Sequence, residues 1–135
     1  MQEGKPKTIR LKDYQVPVFG IDKTQLHVDI GEQFTTVTTT LQVSRNPLDT
    51  TGSRQLMLDG GRDLVTRKLA IDGRELMSNE FTIDDETLSI ADVPEKFTFS
   101  SVVEIKPQDN LALEGLYRSG DMFCSQCEAE GFRNI

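Results

Sequence analysis

The chain has 135 residues, 22 acidic against 15 basic, for a formal charge of −7. That balance repels phosphate backbones, and no lysine/arginine cluster interleaved with aromatics offsets it, which argues against nucleic-acid binding. Hydrophobic residues at 36% and aromatics at 7%, with no tryptophan, predict one domain with a thin, sheet-like core in two layers.

Residues 1–12 are polar and lysine-rich without periodicity, and are expected to form a flexible lead-in to a single domain over 13–135. No apolar segment follows the first charges, so they do not read as a signal peptide. No run of about 18 apolar residues occurs, and two cysteines give no disulfide framework. The expected compartment is the cytoplasm, without membrane contact. Pro17 disfavours a helix and predicts an extended edge segment over Tyr14–Phe19. Leu26, Val28 and Ile30 alternate with His27 and Asp29, the pattern of a strand with one buried side. After a turn at Gly31–Gln33, Val37, Thr39, Leu41 and Val43 repeat the alternation in a run of β-branched residues, so the two segments form a hairpin.

Asn46-Pro47 and Asp49–Ser53 read as a loop. Leu56–Leu58 is a short strand stopped by Asp59-Gly60-Gly61. Leu64–Ile71 is another, and Asp72-Gly73 suits a two-residue hairpin turn into Arg74–Leu76. Phe81–Ile83 and Leu88–Ile90 flank a second turn at Asp84–Thr87. Phe97, Phe99, Ser101, Val103 and Ile105 alternate strictly, making this the longest strand, and Lys106-Pro107 ends it. No segment before Asn110 keeps a helical period over three turns. The fold class expected is all-β, with short antiparallel strands.

Several residues carry candidate chemistry. Cys124 and Cys127 have C-x-x-C spacing, but a zinc site needs four ligands and a redox dithiol needs a helix N-terminus, so two small, partly buried side chains are the better reading. His27, the single histidine, falls on the polar side of its strand. Gly115, Gly120 and Gly131 lack phosphate-loop spacing and are expected to permit turns. Gln126, Glu128 and Glu130 would share one face if residues 125–130 were extended, an arrangement able to accept hydrogen bonds from a protonated amine. On spacing alone, a solvated acidic strand edge is the better reading.

The stretch Ala112-Leu113-Glu114-Gly115-Leu116-Tyr117, then Ser119-Gly120-Asp121, then Gln126-Cys127-Glu128-Ala129-Glu130-Gly131-Phe132-Arg133 resembles the end of the N-terminal domain of zinc aminopeptidases of the aminopeptidase N family. Upstream the likeness is weaker, through Asp13-Tyr14 with Pro17, Leu56–Leu58 before a glycine pair, and Val93–Phe97. The resemblance implies a twisted, saddle-like antiparallel β-domain set against a catalytic domain. It implies that Gln126 and Glu128 reach the active site and hold the free α-amino group of a peptide substrate. It also implies zinc in the parent enzyme, bound outside this chain, because no H-E-x-x-H or G-x-M-E-N segment is present. The chain is then expected to be an N-terminal domain truncated before its catalytic domain, not catalytic alone, with an ion pair the simplest use of Glu130 and Arg133. Without that partner, Leu113–Phe132 is expected to be mobile or self-associated. The competing expectation is a free-standing β-domain that binds a protein through an exposed edge or apolar patch.

Overall fold

A computed structural model describes residues 7–135; the first half of the expected lead-in lies outside them. Residues 7–12 are exposed, and a short 3-10 turn at Leu11–Asp13 precedes the first strand. Ten strands follow among the described residues: β1 Phe19–Ile30, β2 Thr35–Arg45, β3 Leu56–Asp59, β4 Val65–Ile71, β5 Arg74–Glu75, β6 Phe81–Ile83, β7 Thr87–Ile90, β8 Lys96–Ile105, β9 Gly115–Ser119 and β10 Met122–Gln126. All pair antiparallel, in a five-stranded sheet ordered β1-β2-β8-β4-β5, a three-stranded sheet ordered β3-β7-β6 and a two-stranded ribbon of β9 and β10.

The alternation seen in the sequence fixes the inner face. Val37, Leu41 and Val43 on β2 stand beside Val103, Phe99 and Phe97 on the central strand β8, all buried. Leu69 and Ile71 of β4 continue the layer, and Leu56 and Ile90 of the small sheet close over it with Leu76 and Val93. Phe19 meets Phe97 edge-on at 5.8 Å between ring centroids, and the Arg45 guanidinium lies 5.0 Å over the Phe19 ring. A second, smaller cluster of Val37, Val103 and Ile105 receives Leu64, Leu116 and Ile135, which ties the carboxyl end to the large sheet. The Asp72-Gly73 turn forms as expected, with φ of 50° and 78°; Asp72 also bonds Thr98 twice, through backbone and side chain, pinning the hairpin to β8.

Three expectations are corrected. The extended segment at Tyr14–Phe19 has no ladder partner until Phe19, where β1 begins. Strand β1 is longer than the alternation suggests because a bulge at Asp22 shifts the register between Ile21 and Lys23, breaking the period of two. Its apolar side is not buried: Leu26, Val28 and Ile30 are 42%, 40% and 46% exposed. They share a face with Thr39, Val37 and Thr35, but β1 is the edge of its sheet.

Candidate functional site

The β9–β10 ribbon begins and ends at the same place. Gly115 opens β9 opposite Gln126, which closes β10, while the Ser119-Gly120-Asp121 turn lies at the far tip. At the base, backbone approaches backbone closely. Gly115 has φ +77°, and a Cβ there would stand 2.9 Å from Asn134 Cβ and 3.0 Å from the Gly131 carbonyl oxygen. A Cβ on Gly131 would run into the carbonyl oxygen of Gln126. The Gly131 N–H donates to the Cys127 carbonyl at 3.1 Å, closing a turn over Glu128–Glu130 that contains a cis Glu128–Ala129 peptide. The 3-10 turn Gly131–Asn134 follows at once.

That turn removes the condition on which a shared face depended, an extended chain over 125–130. The strand stops at Gln126, so Gln126, Glu128 and Glu130 are not three successive residues on one strand face. What separates them is pairing. Glu130 accepts a hydrogen bond from Arg133 at 3.2 Å, the intrachain ion pair expected from sequence, and the same guanidinium reaches Asp59 at 3.1 Å. The Arg133 carbonyl accepts from the Gly61 N–H at 2.6 Å. The turn is thereby fastened to the end of β3. Gln126 and Glu128 are exposed, and among the described residues their side chains make no hydrogen bond or ion pair.

Cys124 sits in β10 and Cys127 just beyond it, both half-buried free thiols. His27 is exposed on β1, as its place in the alternation requires. Among the described residues no group of three or more His, Cys, Asp or Glu could hold a metal ion, and no helix is long and apolar enough to cross a membrane. A cavity of about 1070 Å³ opens between the two sheets, lined by core residues such as Leu56 and Phe99 and by Ala129, Glu130, Phe132 and Arg133, but not by Gln126 or Glu128. Sequence reasoning did not anticipate the β9–β10 ribbon or the part played by Asn134. The signal for the ribbon was available in Tyr117 and Phe123 on either side of a Ser-Gly-Asp turn.

No protein-family model matches the chain. Along its whole length it is 42% identical to part of aminopeptidase N of Caulobacter vibrioides, of which it spans 15%. It is 37% identical over 133 residues to aminopeptidase N of Escherichia coli, covering 91% of this chain and 13% of that protein. In three dimensions it is similar to Legionella pneumophila aminopeptidase A, solved in complex with aspartic acid, with a TM-score of 0.85 at 24% identity over 93% of this chain and 15% of the other. Leukotriene A4 hydrolase of Saccharomyces cerevisiae superposes with a TM-score of 0.67 at 19% identity, over 95% of this chain and 23% of that one. At these identities the structural likeness carries the fold alone. The chain thus spans only 13 to 15% of the length of the aminopeptidases N to which it is similar.

Proposed function

We propose that this aminopeptidase N-like N-terminal β-domain supplies the anchor for the substrate α-amino group in a larger zinc aminopeptidase. Glu128 is the anionic anchor and Gln126 a neutral acceptor beside it. One observation carries the reading: of the two glutamates on the turn, Glu130 is neutralised by Arg133 while Glu128 is left exposed and unpaired. A free carboxylate on a backbone held this closely is partly preorganised for a cationic ligand, since only its side-chain rotamers remain to be ordered when the ligand arrives. An ammonium suits it, offering charge-assisted hydrogen bonds to the carboxylate and one more to the Gln126 amide oxygen. A carboxylate at the end of a cleft favours a free amino terminus over a continuing chain, which is the selectivity of an exopeptidase.

In this reading the zinc, its ligands and the groups that activate water belong to the remainder of the protein, and the partners of the domain are peptides with a free amino terminus and the catalytic domain of its own chain. The residues described here offer no set of ligands for that ion.

The test is Glu128→Gln and Glu128→Ala in the full-length protein. Loss of a hydrogen bond to a charged group corresponds to about 1.5–3 kcal/mol, so KM for peptides with a free amine should rise roughly tenfold to a hundredfold. The preference for such peptides over N-acetylated ones should fall in proportion. Unchanged KM and unchanged preference in both variants would reject the anchor. The uncovered side of β1 favours a second reading, a protein-binding module acting alone; it requires a natural polypeptide near this length, whereas the relatives are several times longer.

A further inference from the structure

The loop entering the ribbon holds its leucines outward at a local cost. Leu113 has φ +58°, a left-handed conformation that crowds the Cβ of any residue but glycine and is rare for a bulky aliphatic one. Leu111 is 90% exposed and Leu113 51%. Asn110 braces this form: its Nδ2 donates to the Glu114 carbonyl at 2.7 Å and the Leu116 carbonyl at 2.9 Å, and its Oδ1 accepts from the Leu113 N–H at 3.2 Å. Asn110 itself caps the 3-10 turn Pro107–Asp109, whose Pro107 is buried. Backbone sterics disfavour this conformation at Leu113 and the hydrophobic effect disfavours the exposure of both leucines, and the Asn110 brace holds the form against both. Strain of this kind, held by its surroundings, is characteristic of functional segments.

The loop also has a definite neighbour. Gly115 pairs with Gln126 at the base of the ribbon, so the residues just before β9 and those just after β10 leave from the same end. Leu113 and Glu128 each lie two residues beyond that pair. The matched aminopeptidases are about seven times longer than this chain, which leaves ample protein to supply a surface for both.

We propose that Leu111 and Leu113 form a seating knob. Their side chains fill an apolar recess in the part of the full-length protein that carries the cleft, and so set how far Glu128 reaches into it. The proposal rests on the anchoring role assigned to Glu128 above. Leu111 and Leu113 are positioning residues and need touch no substrate.

Three variants of the full-length protein separate the parts. Leu113→Gly keeps the left-handed backbone and removes the side chain; combined with Leu111→Ser it should raise KM for free-amine peptides by about tenfold and lower the preference over N-acetylated ones, with kcat changed less. Leu111→Met should keep wild-type values, since methionine fills a similar volume. Seating is read independently with Leu111→Cys, whose thiol should react with a hydrophilic maleimide at least about tenfold more slowly than that of Asp121→Cys at the exposed ribbon tip, with labelled peptides resolved by mass so that Cys124 and Cys127 are counted separately. Wild-type kinetics in the double variant, or equal labelling at the two introduced thiols, overturns the knob. If Glu128→Gln is silent while the Leu111→Cys thiol is shielded, the anchoring role falls and the seating stands.

Discussion

The body of the domain and its carboxyl ribbon are held by different forces. In the body, β2, β8 and β4 bury Val37, Phe97, Phe99 and Leu69 in a continuous layer, and stability follows volume. In the ribbon little is buried. Its base depends on backbone atoms meeting at Gly115 and Gly131, on Asn134, and on the two ion pairs of Arg133. A body position therefore accepts another apolar side chain of similar size, while a few ribbon positions accept no side chain at all.

The largest expected effect tests the body. Phe99→Ala removes a buried ring from the central strand and should destabilise by about 3–5 kcal/mol, read as a lower midpoint in thermal or denaturant unfolding; a loss below about 1 kcal/mol would mean that the layer is not continuous. Gly131→Ala tests the ribbon. The added methyl meets the Gln126 carbonyl and the Gly115 amide nitrogen, so the turn must move, with an expected local cost of about 1–3 kcal/mol. The body's unfolding midpoint should shift less than for Phe99→Ala, while kcat/KM toward free-amine peptides should fall as far as in Glu128→Ala. The contrast between the regions disappears if both variants lower stability and kinetics in the same ratio.

The smallest effect sharpens the body side. Asp49 lies in the 46–53 loop, and its carboxyl is held below the ordinary aspartate range by the Thr51 hydroxyl foremost, against an opposing push from desolvation, and further by the Thr51 and Gly52 N–H groups and by Arg45. A depressed folded-state value means that the carboxylate stabilises the fold above its unfolded value of 3.8 and loses that contribution as pH falls below it toward the folded value. Asp49→Asn should lower stability slightly at neutral pH and flatten the decline below pH 3.8, leaving ribbon function unchanged. Parallel pH curves for the variant and the wild type would remove Asp49 from the account.

The same contrast explains what could be read from the sequence. Strands β2 and β8 were legible because Val37, Leu41, Val43 and Phe97, Phe99, Val103, Ile105 report burial through strict alternation. Strand β1 was half legible, since the bulge at Asp22 interrupts the period and alternation does not say whether anything covers Leu26, Val28 and Ile30. Gln126 and Glu128 became candidates through a resemblance spanning 112–133, with residue type alone leaving them ambiguous. The turn that sets them apart from Glu130 depends on contacts between Gly131, Gly115 and Asn134, and close approach of backbones separated in sequence leaves no periodic trace.

The fastening of Arg133 to Asp59 and Gly61 carries a mechanical consequence. Gly60 in turn donates to the Glu86 carbonyl at 2.9 Å, at the head of the β6–β7 hairpin, so the turn bearing Glu128 is coupled to the small sheet, while Leu116 and Ile135 rest on the large one. The two sheets act as the arms of a caliper. A change of tilt between them would be carried to that turn as displacement, so insertions in the Asp84–Glu86 turn, remote from Glu128 in sequence, are expected to shift the carboxylate.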